Sequence, residues 1–157
     1  MSIEVNNETD YEIELAAVEK LSRFVLETMF LHPTTEVSIV FLDEAAMSDL
    51  HVEWMDLEGP TDVMSFPMDE LRPGSLGKPS ESGILGDIVI CPSVAAAQAK
   101  KGGHSFDDEV LLLTTHGLLH LMGFDHEEEE EKTEMFGIQR QLLESFLGRP
   151  APKETVE

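Results

Sequence analysis

The chain has 157 residues, 41% of them hydrophobic, which suits a single domain with one core. Its 10 basic and 32 acidic residues give a net charge of −22, a field that repels nucleic acid at long range and argues against tight, sequence-independent RNA or DNA binding. No apolar run approaches the ~20 residues of a membrane span, Met1–Asn6 lacks the basic and apolar regions of a signal peptide, and the lone Cys91 excludes an internal disulfide; a cytoplasmic protein with no membrane partner is expected.

Ile3-Glu4-Val5 suggests a short first strand. Thr9-Asp10-Tyr11-Glu12 has the pattern of a capping box. The helix it would open carries Ile13, Ala16, Ala17, Leu21, Val25 and Met29 near a 3.6-residue period and stops at His32-Pro33. Residues 36–42 read as a buried strand. Asp43 is placed to cap a second helix through about Met55, with Ala46, Leu50 and Trp54 on its apolar face. After a Gly59-Pro60-Thr61 loop, Asp62–Pro67 reads as a third strand, and Pro73–Gly83, rich in Gly, Pro and Ser, as a mobile loop. Ile84–Cys91 holds a fourth strand, Pro92 opens a helix to about Lys101, and Gly102-Gly103 stops it. Ser105 is a candidate cap for the next helix. The last helix starts in the acidic run Glu127–Glu131, where carboxylates suit the positive end of the helix dipole, and runs to about Leu147. The expected fold is α+β: one domain over 1–147, a mixed sheet of about four strands with about five helices, and a polar, disordered tail over 148–157.

The segment His116-Gly117-Leu118-Leu119-His120-Leu121-Met122-Gly123-Phe124-Asp125-His126 carries the chemistry. On a helix, His116 and His120 share one face with Cβ atoms roughly 5–6 Å apart. Gly123 can take a positive φ and end the helix, so that the chain returns with His126. Three imidazoles with an open fourth position form the ligand set of a catalytic zinc, here one Zn2+ per chain. The spacing is that of the metzincin proteases, H-E-x-x-H-x-x-G-x-x-H, but Gly117 stands where the protease has its glutamate base. The alternative, satisfied core histidines, would bury several imidazoles together without a partner.

Three blocks in order resemble the YbeY family of bacterial metal-dependent endoribonucleases involved in ribosomal RNA maturation. They are Gly59-Pro60-Thr61-Asp62-Val63-Met64-Ser65-Phe66-Pro67, Leu85-Gly86-Asp87-Ile88-Val89-Ile90, and the His116–His126 segment itself, in which the family also has Gly at the position of Gly117. The resemblance implies a zincin-like site with zinc on His116, His120 and His126. It also implies cleavage of single-stranded RNA in 16S rRNA processing, ribosome maturation and RNA quality control, with the small ribosomal subunit or a ribosomal protein as partner. The family pattern L-N-x-x-Y-R ends in an arginine suited to holding phosphate; here Leu50-His51-Val52-Glu53-Trp54-Met55 places Met55 there, which marks a subgroup variant.

Asp87 is the candidate catalytic carboxylate, to be weighed against hydrogen bonding to loop amides. Asp125 is a candidate to orient a ligand histidine or to cap a turn. Arg72, Lys78, Lys100 and Lys101 are the candidate phosphate contacts, with His104 beside the last two. His32 and His51, without companions at ligand spacing, read as structural, Trp54 as core and Cys91 as a small core residue. Two rival functions are a metallohydrolase of peptides, which Gly117 argues against, and a non-catalytic zinc-binding ribosome-assembly factor, which Met55 and the negative charge favour. A DNA-binding regulator has no basic helix to support it.

Overall fold

The computed structural model describes residues 1–55, 57 and 59–155; Glu58, beside the first motif block, lies outside them. In chain order the elements are β1 (Ser2–Asn7), α1 (Leu15–Thr28), β2 (Glu36–Phe41), α2 (Glu44–Met55), β3 (Val63–Pro67), β4 (Ile84–Ile90), α3 (Pro92–Gly102), α4 (Phe106–Leu121) and α5 (Glu129–Leu147). The strands form one mixed sheet in the order β1-β2-β4-β3. β1, β2 and β4 run parallel, and β3 is an antiparallel edge against β4. This is the α+β arrangement that the sequence implies.

The two faces of the sheet are covered unequally. Val37, Ile39 and Phe41 alternate inward along β2 and join Ile88 and Ile90 in a large core with α1, α4 and α5. The opposite face carries a small cluster of Met47 from α2 with Met64, Val89 and Cys91. α4 packs against the sheet and against α1, α3 and α5, and its residues from Asp108 to Leu119 are buried. A helix buried all round must satisfy its own hydroxyls: Thr114 and Thr115 donate to Val110 O and Leu111 O at 2.8 and 2.9 Å.

Local capping follows the sequence in two places. Ala46 N donates to Asp43 Oδ1 at 2.9 Å at the start of α2, and Asp108 N donates to Ser105 Oγ at 3.1 Å at the start of α4. The Thr9–Glu12 capping box does not form, and α1 begins only at Leu15, without a side-chain cap. Asn7 competes for the same groups: its Oδ1 accepts from Thr9 N and Thr9 Oγ1, and its Nδ2 donates to Tyr11 O. The Pro73–Gly83 loop is also more tied down than its composition suggests. Gly74 N donates to Met29 O and Ser80 N to Phe30 O, while Ser80 Oγ accepts from His32 N at 2.9 Å.

Residues 148–155, where the composition suggests disorder, lie against the start of α4. Arg149 makes a bidentate pair with Asp108, both bonds 2.8 Å, Glu154 pairs with Arg140, and Thr155 donates to Glu109 Oε2. Glu109 is fully buried and shares its other oxygen with His104. The composition is polar because these contacts are polar. Among the described residues no helix is long and apolar enough to cross a membrane.

The Arg149 guanidinium holds the Asp108 carboxyl below its usual pKa, against a smaller opposing effect of burial. A depressed carboxyl pKa contributes stability that is present above the unfolded value and is lost as pH falls through the folded value. Arg149→Gln is therefore expected to lower the melting temperature at pH 7. The gap from the parent protein should close as pH falls below about 3.8, the ordinary aspartate value. Thermal melts of both proteins across pH 3–7 check this; a gap that persists in acid would show that the contact acts through packing alone.

Candidate metal centre and its cleft

Helix geometry brings the first two imidazoles together. His116 Nε2 and His120 Nε2 lie 3.1 Å apart. α4 ends one residue after His120, and Gly123 turns the chain at φ +96°, a conformation that a side chain resists. A Cβ at Gly123 would also sit 2.7 Å from Arg72 Cζ, so the guanidinium fills the space that glycine leaves. Beyond the turn, His126 comes back with its ring centroid 5.1 Å from both other imidazoles. One ligand atom from each of the three histidines falls within 4.8 Å of the others. Tetrahedral zinc with Zn–N bonds of ~2.0–2.1 Å needs nitrogens roughly 3.3 Å apart, so small rotamer adjustments suffice to close the set.

The cluster is chemically ready for a cation. Burial, and next the charge that His120 would carry, lower the His116 pKa to about 3, only partly offset by a hydrogen bond to Gln139. Burial and then His126 lower the His120 pKa as well, partly offset by the Asp125 carboxylate. Such imidazoles are neutral at pH 7 and keep the lone pair a metal needs. His116 Nδ1 lies 3.0 Å from Gln139 Oε1, a fully buried group on α5. A carbonyl oxygen only accepts, so Nδ1 carries the proton and Nε2 faces the other histidines as a ligand. Gln139 was not visible as a site residue in the sequence, because its partner is 23 positions away on another helix.

Gly117 has a packing reason. A Cβ there would meet Ile88 Cγ2 at 3.0 Å and Ser65 Oγ at 3.3 Å, and Ser65 Oγ donates to Gly117 O at 3.2 Å. The helix approaches the sheet too closely for a larger residue, and a side chain at 117 would be aimed at the sheet.

The three histidines open into a cleft of about 640 Å³ lined by the β3 edge, the end of α2 and one side of α3. α2 contributes His51, Trp54 and Met55, and α3 contributes Val94 and Gln98. Trp54 is not core: it is 62% exposed and meets Phe66 of β3 edge-on, centroids 5.8 Å apart. The buried side of α2 is instead held by Met47. Met55, at the position where an arginine is expected by resemblance, lines the same wall, 58% exposed. His51, which the sequence suggests is merely structural, also lines the cleft. Its Nδ1 donates to Gly59 O at 2.8 Å, which leaves Nε2 as an acceptor.

Other candidates lie elsewhere. Asp87 is exposed on β4 and does not line the cleft. Its neighbour Ile88 faces Gly117, and alternation sends residue 87 to the other face of the sheet. Arg72 packs beside the Gly123 turn and donates to Leu71 O at 3.3 Å, Lys78 sits in a tight turn with Ser75, and Lys100 and Lys101 end α3. None of the four lines the cleft; among the described lining residues there is no Lys or Arg. Asp125 caps its own turn, accepting from His126 N at 2.7 Å. Asp62 does line the cleft. Burial raises its pKa, but its oxygens already accept from Val63 N, Thr61 Oγ1 and Gln98 Nε2.

The family model described as Endoribonuclease YbeY matches residues 3–147. The chain belongs to the YbeY endoribonuclease family. A protein of Renibacterium salmoninarum named Endoribonuclease YbeY is 64% identical over 155 residues, covering 99% of each chain. One of Paenarthrobacter aurescens with the same name is 58% identical over 157 residues and covers both chains entirely. A solution structure from Thermotoga maritima superposes with a TM-score of 0.64 at 26% identity, covering 93% of this chain and 89% of the other.

Two outcomes test this geometry. Gln139→Leu should keep the fold and weaken zinc binding about 10- to 100-fold, as loss of a ligand-orienting partner typically does; competition with a chromophoric chelator measures it. Gly117→Glu should destabilise the protein by about 1–3 kcal/mol through overpacking against Ile88, as read by denaturant unfolding.

Proposed function

We propose that the protein is a zinc-dependent endoribonuclease that cleaves single-stranded RNA in the cytoplasm. Its proposed substrate is ribosomal RNA, in 16S rRNA processing and RNA quality control, with the small ribosomal subunit or one of its proteins as partner. The observation that carries this reading is the cleft: His116, His120 and His126 converge at its floor in a chain of the YbeY family.

A zinc ion held there would lower the pKa of a bound water towards ~7 and polarise a phosphoryl oxygen. His116, His120 and His126 hold the ion, and Gln139 fixes the His116 tautomer. His51 takes the place of the missing glutamate as proton acceptor, through Nε2. Its tautomer is set by Gly59 O, whereas the oxygens of Asp62 are occupied by structural hydrogen bonds. The nucleophile that loses the proton is a water or a ribose 2′-hydroxyl. A peptide-hydrolase reading finds no support at position 117, which is packed against the sheet.

The zinc-loaded protein is expected to cleave a labelled single-stranded RNA, and both a chelator and His120→Ala should abolish cleavage. His51→Gln should bind zinc normally and cleave about 100-fold more slowly, the low end of general-base contributions. No cleavage by a protein shown to hold zinc would replace this reading with that of a non-catalytic assembly factor.

A further inference from the structure

The end of α2 exposes more apolar surface than a solvent-facing helix requires. Trp54 is 62% exposed, and Val52 and Met55 are 51% and 58% exposed. An indole left in water forgoes a large burial gain, and this one stands on the wall of the cleft that ends at His116, His120 and His126. Phe66 touches it edge-on at an interplanar angle of 71°, a contact that props the ring without enclosing it. The described lining residues include no Lys or Arg, and the chain carries a net charge of −22. Away from the histidines, an RNA strand in this cleft meets no lining Lys or Arg among the described residues to attract its phosphates, so its bases must supply contact energy.

The geometry points to Trp54 as a stacking platform for an unpaired nucleobase next to the scissile phosphate. This inference rests on the RNA-cleavage reading and adds to it a means of recognition. Every base has a π-face, so an indole accepts any of them, while bases in a duplex are already stacked and cannot reach it. Trp54 would thereby select single strands. Met55 continues the apolar wall and leaves the end of α2 without a cation, so binding depends less on salt than in a nuclease that grips phosphates with arginines.

Trp54 is the only tryptophan in the chain, so its fluorescence reports this site alone. The zinc-loaded protein is titrated with a short single-stranded oligonucleotide carrying 2′-O-methyl riboses and phosphorothioate links, which resists cleavage. Matching titrations use the same backbone without bases and the corresponding duplex. Quenching by the single strand, with none by the abasic strand or the duplex at equal phosphate concentration, is the expected result. Trp54→Ala, followed by anisotropy of a labelled oligonucleotide, should bind about tenfold more weakly, and Trp54→Phe should recover most of the loss. In cleavage assays the effect should fall on KM more than on kcat. Equal quenching by the abasic strand, or unchanged binding by Trp54→Ala, would overturn the stacking role while leaving cleavage intact. Absence of both binding and cleavage would remove the RNA reading and this inference together.

Discussion

Burying α4 along its length takes Asp108, Glu109 and His116 out of water together with its leucines, and much of the rest of the molecule exists to make that tolerable. Each of these three groups is answered from outside the helix. Asp108 is met by Arg149, Glu109 by His104 and Thr155, and His116 by Gln139 of α5. An unanswered polar group in such a place costs on the order of 1–3 kcal/mol. The neighbouring segments are therefore chosen as much for the partners they bring as for the apolar surface they cover. The result is a rigid rod whose last two turns project two imidazoles, four residues apart, from one face.

The electrostatics of the cleft follow from the same economy of charge. Three neutral imidazoles bind a divalent ion without cancelling its charge, unlike a thiolate cage. In a chain with a large negative excess, and with no Lys or Arg among the described lining residues, an ion at the histidines would be the dominant positive feature of the cleft. A phosphodiester would be drawn to one point and not along a basic track. The orientation of the strand on either side of that point then falls to apolar and aromatic contacts on the walls.

What the sequence revealed, and what it hid, divides along distance in the chain. The histidine spacing was legible because helix geometry and one glycine turn relate residues 116, 120 and 126 locally. Gln139 was hidden, since nothing in a sequence says which glutamine of a later helix faces which ring. Trp54 was misplaced because the apolar period of α2 runs on past its buried part; Met47 is buried, but two turns later Trp54 is mostly exposed and met only edge-on by Phe66 among the described residues. Asp87 was singled out for its motif although strand alternation already separates it from Ile88, whose contact with Gly117 marks the side that faces α4. The polar tail carried the composition of a solvated segment, and only the buried carboxylates of a distant helix gave its residues partners.

That last arrangement has a temporal side. Asp108 and Glu109 precede their partners Arg149 and Thr155 by 41 and 46 positions. While a ribosome is making the chain, Asp108 lacks Arg149, and Glu109 has only His104, until the segment after α5 has been synthesised. The N-terminal turn of α4 has its local partners Ser105 and His104 earlier, but its final surroundings are complete only then. The metal-bearing helix thus gains its last polar partners only once the C-terminal segment exists, although its own sequence lies well inside the chain.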